Sequence, residues 1–293
     1  MRLFRASARR DAAAAVSVLG HERAADAGQL CAHYPLTSTL AAVQVVGGRF
    51  DTSTPGSRML GIDGEQGLEA LTWVGANIVP VGTTAEQRPA IAQTIADHGR
   101  ASSSVLGDAE QVLSLWSFLE QRWGRPREIR GNQPLLVMDS PATVEPDPQV
   151  RRGTVAEAPI VAPASVAMFI EEVGYDPTRY GNGYVRRVRS LLSLGRTWIR
   201  TEPHPETGQE RVVFKADVGA LALGVAQVQG VWVAPDRRGQ GLGSRGMAAV
   251  VRDVLADVAP TVSLYVNDYN TAGLATYRRL GMRQEGTYAT VVL

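Results

Sequence analysis

The spacing of apolar positions along this chain predicts strands alternating with helices. Between Gln111 and Trp123, Val112, Leu115, Trp116 and Leu119 recur at helical spacing and form one apolar face. Apolar runs rich in β-branched residues predict strands at Leu71–Val81, Arg127–Met138, Val225–Val233 and Thr261–Val266. Helices are predicted at Arg88–His98, Val185–Leu194, Leu242–Ala256 and Ala272–Leu280, with a closing strand at Thr287–Leu293. Trp198–Arg200 and Arg211–Lys215 read as hairpin strands around the turn residues Pro205, Thr207 and Gly208. Residues 218–234 are mostly apolar, but Gln227, Gln229 and the glycines argue for a buried strand pair over a bilayer helix.

A break falls at Asp139–Gln149, where Pro141, Pro146 and Pro148 stand among Asp139, Glu145 and Asp147. Such a segment resists helix and sheet alike and reads as a linker or long surface loop. Each half opens in the same order, a strand and then an Ala-rich helix. These are Arg2–Ala6 with Asp11–Leu19, and Val150–Val155 with Pro163–Val173, a pattern that suggests internal duplication. With 293 residues, the chain is read as two α/β domains, 1–140 and 150–293.

Composition narrows the function classes. The 44% apolar and 20% charged content is that of a globular protein and excludes disordered and fibrous classes. A net charge of +1 argues against a nucleic-acid or membrane-surface binder. Lys215 is the only lysine; the other 29 basic residues are arginine. Cys31 stands alone, so no intrachain disulfide forms and a cytoplasmic location is expected. His21, His33, His98 and His204 lack metal-ligand spacing, so no metal is expected. Arginines before an Ala-rich run in Met1–Gly20 faintly echo an export signal, but Asp11 breaks it, and the segment reads as a strand entering a domain helix.

The most informative segment is Val231–Ser244, VWVAPDRRGQGLGS. A strand runs into a turn carrying Gly239, Gly241 and Gly243, and a helix starts there. Glycines let the backbone turn tightly and approach a ligand, while unsatisfied N–H groups at the helix start face an anion. Arg238 adds charge beside them. The expected guest is a phosphate or pyrophosphate. Gly241-x-Gly243-x-x-Gly246, with Asp268 after the next strand, formally matches a dinucleotide fingerprint. Residues Ala234–Arg238, however, separate the strand from its first glycine, and little chain remains for a second nucleotide-binding half.

The alternative reading is Arg238-x-x-Gly241-x-Gly243 after a strand, followed by Asn267–Met282, NDYNTAGLATYRRLGM. In these elements the chain resembles the GNAT superfamily of acetyl-CoA-dependent N-acetyltransferases. Asn270, Tyr277 and Gly281 stand where that superfamily has N, Y and G; Gly273 replaces its usual Ala and Met282 its usual Phe. The two elements cover roughly the last 70 residues. FKADVGAL, QGVWVAP, GMAAVV, SLYVNDYN and GTYAT further resemble an actinobacterial two-domain GNAT subgroup with a characteristic N-terminal domain. Mycothiol synthase, another two-domain GNAT, is similar in layout.

The resemblance implies a GNAT fold in the C-terminal half, with a mixed, partly splayed central sheet flanked by helices. The first half is expected to be a degenerate GNAT-like α/β domain, because the turn after Asn77–Val81 reads GTTAE, without the arginine and glycine spacing. Acetyl-CoA is implied as cofactor. Backbone groups of Val231 and Val233 would bind its pantetheine, the N–H groups from Arg238 through Gly239, Gly241, Gly243 and Ser244 its pyrophosphate, and Asn270 would help position it. Tyr277 is the candidate general acid, since a phenol of ordinary pKa about 10 keeps its proton at neutral pH. For the base, Asp217 is a candidate because it alternates with Lys215 on one strand face; Glu171, Glu172 and the Leu293 carboxylate are others. The implied partner is a small-molecule or peptide amine acceptor. A non-catalytic acyl-CoA-binding module is the second reading, and neither the acceptor nor the oligomeric state follows from the sequence.

Overall fold

A computed structural model describes residues 15–50, 57–179 and 181–293. The expected strand Arg2–Ala6 and Tyr180 lie outside the described residues. The described residues form two compact units, one of residues 15–34, 44–50, 57–131 and 289–293, the other of residues 35–43, 132–179 and 181–288.

In the first unit the strands β1 (Val16–Leu19), β2 (Arg58–Gly64), β3 (Gly67–Val74), β4 (Asn77–Val81) and β5 (Ser104–Asp108) lie in that order. The pairings are antiparallel up to β4, and β4 pairs parallel with β5. Among the described residues its helices are α1 (Ala24–His33), α3 (Arg88–Asp97) and α4 (Ala109–Trp123), while α2 (Thr39–Val46) has its first five residues in the second unit and its last three in the first. Val112, Leu115, Trp116 and Leu119 of α4 are buried together with Ile91 and Ile95 of α3, as the helical spacing requires. Two expectations are corrected. Val16–Leu19 is a strand within the predicted helix Asp11–Leu19. Leu71–Val81 is a hairpin rather than one strand: Val74 pairs with Ile78, and the chain turns at Gly75, whose N–H bonds the Asn77 carbonyl at 3.1 Å. An uninterrupted apolar run conceals such a turn.

The second unit contains β6 (Glu128–Met138), whose first residues belong to the first unit, then β7 (Arg151–Arg152), α5 (Ala158–Val173) and α6 (Gly183–Ser193). There follow β8 (Thr197–Pro203), β9 (Glu210–Ala222), β10 (Val225–Val233), α7 (Leu242–Asp257), β11 (Thr261–Tyr265), α8 (Thr271–Leu280) and β12 (Arg283–Val292), whose residues from Ala289 on belong to the first unit. The strand order is β12-β6-β11-β10-β9-β8-β7. The hairpins β8–β9 and β9–β10 and the long strand β10 match their sequence patterns. The helix α5 starts five residues before its predicted start, and Pro163 lies inside it. A Thr154–Glu157 capping box starts the chain turning ahead of Pro163. Likewise Val150–Val155 carries only the two-residue strand β7, and β12 begins four residues before Thr287.

Packing in this unit fixes α7 against the sheet. Met247, Ala248, Val250, Val251 and Val254 are buried with Trp198, Phe214 and Val262. At Gly246 a Cβ would lie 2.6 Å from the Phe214 ring, so the helix backbone sits directly on β9. That contact, together with the short turn Pro235–Arg237, holds the start of α7 beside the end of β10.

Candidate active site

The central feature is the parting of two parallel strands. β10 and β11 pair at Val225–Thr261, Ala226–Val262 and Gln227–Ser263, and the parallel pairing stops there, although β10 runs on to Val233. On its other edge β10 loses register with β9 between Gln229 and Trp232. Gly230, at φ +60, makes this bulge. Gly230 and Val231 thus stand outside both ladders.

The bulge is held from below. Lys215, fully buried, donates from Nζ to the Gly230 carbonyl at 3.1 Å and to Asp217 Oδ2 at 2.6 Å. Asp217 Oδ1 accepts from the Thr197 hydroxyl at 2.8 Å. Asp217 and Lys215 do share one strand face, and the structure adds that both Asp217 oxygens are engaged. A glycine inside a strand pattern was the sequence sign of the bulge; Thr197 left no sign.

At the end of β10 the chain enters the glycine turn. Gly239 and Gly241 have φ +76 and +78, and a Cβ on either would meet nothing within 4 Å. Both need glycine for conformation, and both leave open space above the backbone. Gly241 is the N-cap of α7 and gives it no side-chain cap, so the first amides of this 16-residue helix are not closed by a capping side chain. Ser244 is buried, with its hydroxyl donating to the Gly241 carbonyl at 3.0 Å. Gly243 lies on the helix against Val233. Arg238 donates from Nε to the Val233 carbonyl at 3.0 Å and pairs with Glu171 at 2.6 Å. Glu171 also accepts from the Trp232 indole at 3.2 Å, so it ties α5 to the strand end.

Tyr277 is buried on α8. Burial, with a smaller contribution from the Glu172 carboxylate, pushes its phenol well above the ordinary range. Asn270 caps the same helix, accepting from the Gly273 N–H at 2.8 Å. A Cβ at Gly273 would lie 2.9 Å from the Asn270 amide nitrogen, so glycine there leaves the capping side chain its room.

Beside the parted strands lies an open cleft of about 280 Å³, bordered by Glu172, Tyr184, Arg187, Asp217, Gln229 and Tyr265. Of the sequence candidates it gathers Asp217 and Glu172. Leu293 belongs to the other unit, where its N–H bonds the Ser103 carbonyl. Among the described residues no group of three or more His, Cys, Asp or Glu could hold a metal ion, and no helix is long and apolar enough to cross a membrane.

The first unit's turn after β4 is built differently. The Thr83 N–H bonds Gln111 Oε1 at 2.9 Å, and the Thr84 N–H bonds Gln87 Oε1 at 3.0 Å. The buried Arg88 donates to the Thr83 carbonyl at 2.6 Å and pairs with Glu110 at 2.5 Å. Side chains of the unit itself occupy these turn amides.

Two family models match the chain. The acetyltransferase (GNAT) family covers residues 199–282, and a domain of unknown function (DUF4081) covers residues 57–161. Among solved structures, a GCN5-related N-acetyltransferase from Sphaerobacter thermophilus is 16% identical, with TM-score 0.57 over 94% of this chain and 94% of that one. One from Kribbella flavida is 18% identical, with TM-score 0.52 over 89% of this chain and 95% of that one. A tandem GNAT protein from the clavulanic acid biosynthesis pathway is 12% identical, with TM-score 0.52 over 95% of this chain and 98% of that one. At these identities the likeness is one of fold. The family match spans β8 to α8, which include the parted strands and the glycine turn. The chain therefore carries a GNAT-family acetyltransferase domain, preceded by a separate α/β domain.

Proposed function

We propose that the C-terminal domain moves an acetyl group from acetyl-CoA to the amine of a small-molecule or peptide acceptor by direct attack. The observation that carries this reading is the opening between β10 and β11 beyond Gln227, leading to the glycine turn at α7. A narrow, extended group with a pyrophosphate at one end fits that layout. The open space over Gly239 and Gly241 and the start of α7 suit the pyrophosphate. The backbone around Val231 and Val233 suits the pantetheine, and Arg238, Gly243, Ser244 and Asn270 are assigned to holding the same cofactor.

Acetyl-CoA held there supplies an activated acyl group, whose C–S bond breaks as the amine N–C bond forms, the amine losing a proton and the sulfur ending as a thiol. The chain's own groups then divide the work. A backbone N–H left out of both ladders at the bulge beside Val231 is the group read as stabilising charge developing on a carbonyl oxygen. Tyr277, whose burial keeps its phenol protonated, is read as the donor to the departing sulfur. Asp217, held by Lys215 and Thr197, sets the field on the acceptor side.

Thermal unfolding with acetyl-CoA, CoA and NAD in parallel tests the reading. A ligand at 100 times its dissociation constant adds about 2.7 kcal/mol, a shift of several degrees. Acetyl-CoA and CoA are expected to raise the midpoint of the wild type and not of Gly241→Glu. A rise with NAD alone would overturn the proposal. CoA binding without turnover on any amine would favour an acyl-CoA-binding module.

A further inference from the structure

We infer that Lys215 is a positioning residue for acyl transfer: bound to the Gly230 carbonyl, it fixes and polarises the one peptide whose other end is the Val231 N–H. The inference rests on the acetyltransferase reading and deepens it at the group assigned to the thioester oxygen.

Three observations lead there. The first is that the carbonyl and the N–H belong to a single peptide unit. Lys215 Nζ donates to the Gly230 carbonyl at 3.1 Å, and the nitrogen bonded to that carbonyl carbon is that of Val231. No peptide bond among the described residues is cis, so the C=O and N–H of this plane point in opposite directions. The Val231 N–H is therefore directed away from Lys215. Gly230 and Val231 stand outside the registers of β10 with both β9 and β11. Neither ladder fixes this plane, and the lysine supplies the missing constraint.

The second is how firmly the lysine itself is held. Its side chain is fully buried and lies 2.6 Å from Asp217 Oδ2, while Asp217 Oδ1 accepts from the Thr197 hydroxyl at 2.8 Å. The counter-charge offsets the burial of an ammonium, and Thr197 fixes the carboxylate in turn. A Cβ at Gly230 would lie 3.0 Å from Asp217 Oδ2 and 3.2 Å from Lys215 Nζ. The bulge thus rests directly on the pair.

The third is the chemistry of the donor. A hydrogen bond from a cation is stronger than one from a neutral group. In a buried setting it draws charge along the peptide, which strengthens donation at the other end. A donor whose direction is set beforehand also needs no reorganisation when charge develops. The choice of side chain agrees with this role. The other 29 basic residues are arginine, yet beneath the bulge stands the compact ammonium rather than the broad planar fork. Mere filling of the space would be served by an apolar side chain, without burying an ion and its counter-ion.

The experiment uses the full-length protein as wild type, as Lys215→Met, and as the double variant Lys215→Met with Asp217→Asn, in which neither charge is left buried alone. Acetyl-CoA labelled with ¹³C at the thioester carbonyl is bound to each, and its carbonyl stretch is read by difference infrared spectroscopy against the free cofactor. In wild type the band is expected to move to lower frequency. In both variants most of that displacement is expected to be lost and kcat to fall about ten-fold or more, with acetyl-CoA affinity by calorimetry unchanged. The double variant separates charge from support, because its recovered stability is expected to restore neither the band nor kcat. A double variant with the wild-type band displacement and kcat would overturn the inference and leave the acetyltransferase reading intact. Absence of both a CoA shift and turnover in the wild type would overturn the two together.

Discussion

Lys215 Nζ lies 2.6 Å from Asp217 Oδ2 and 3.1 Å from the Gly230 carbonyl, so the chain's only lysine joins a carboxylate on β9 to the bulge of β10. The lysine is fully buried and the aspartate nearly so. Breaking one member of such a pair strands the other charge, whereas replacing both by neutral groups costs far less. Lys215→Met is expected to lose about 3 kcal/mol of stability, and Lys215→Met with Asp217→Asn to recover most of it. Urea unfolding of the two singles and the double measures the coupling. Simple additivity would show that the pair does not hold the bulge.

Gly246 carries a second prediction, one of packing. A methyl at this position would press on the Phe214 ring at 2.6 Å, and both groups are buried. Gly246→Ala is expected to cost about 1–3 kcal/mol, and Phe214→Leu in the same protein to restore part of that by making room. If Gly246→Ala unfolds at the wild-type midpoint, α7 is not held by this contact, and the position of the glycine turn needs another cause.

The second unit was the more legible of the two because its signals are local. β10 runs over Val225–Val233 as its apolar pattern predicts, and α7 begins at Leu242, immediately after a glycine that only a turn explains. Pairing across distance was not legible. Nothing near Asp217 in sequence indicates that Thr197 would bond it, nor that Glu171 would bond Trp232 and Arg238. In the first unit the sequence lacked the arginine and glycine spacing, but it could not show that Gln111 reaches back 28 residues to close the turn amide of Thr83. Pro163 misled for a related reason: a proline usually marks a helix start, yet a capping box upstream had already set one.

Tyr277 yields a prediction with a definite sign in pH. Burial and the nearby Glu172 charge both disfavour the phenolate, so the folded enzyme holds the proton to higher pH than a free tyrosine would. The alkaline limb of kcat is therefore expected to show no loss of activity from a phenol near its ordinary value of about 10. Tyr277→Phe should lower kcat by about ten-fold or more and leave CoA binding, followed by calorimetry, unchanged. Unaltered turnover in this variant would remove Tyr277 from the reaction.

Glu157 links folding to acid. It accepts from the Thr154 N–H at 2.8 Å and pairs with Arg151 at 2.6 Å, and these contacts, the Arg151 hydrogen bond foremost, lower its pKa from 4.5 to about 2 against the opposing effect of burial. The folded value lies below the unfolded one, so the unfolded chain takes up the proton first as pH falls. The stabilisation is fully present above about pH 4.5 and is lost progressively down to about pH 2. Glu157→Gln loses the charge at every pH but keeps a side chain able to accept one hydrogen bond. Its melting midpoint is expected to lie a few degrees below wild type at pH 7, with the gap closing between pH 4.5 and 2. A gap that stays constant through this window would mean that the Arg151 pairing contributes nothing through charge, and that the helix start depends on the shape of the capping box alone.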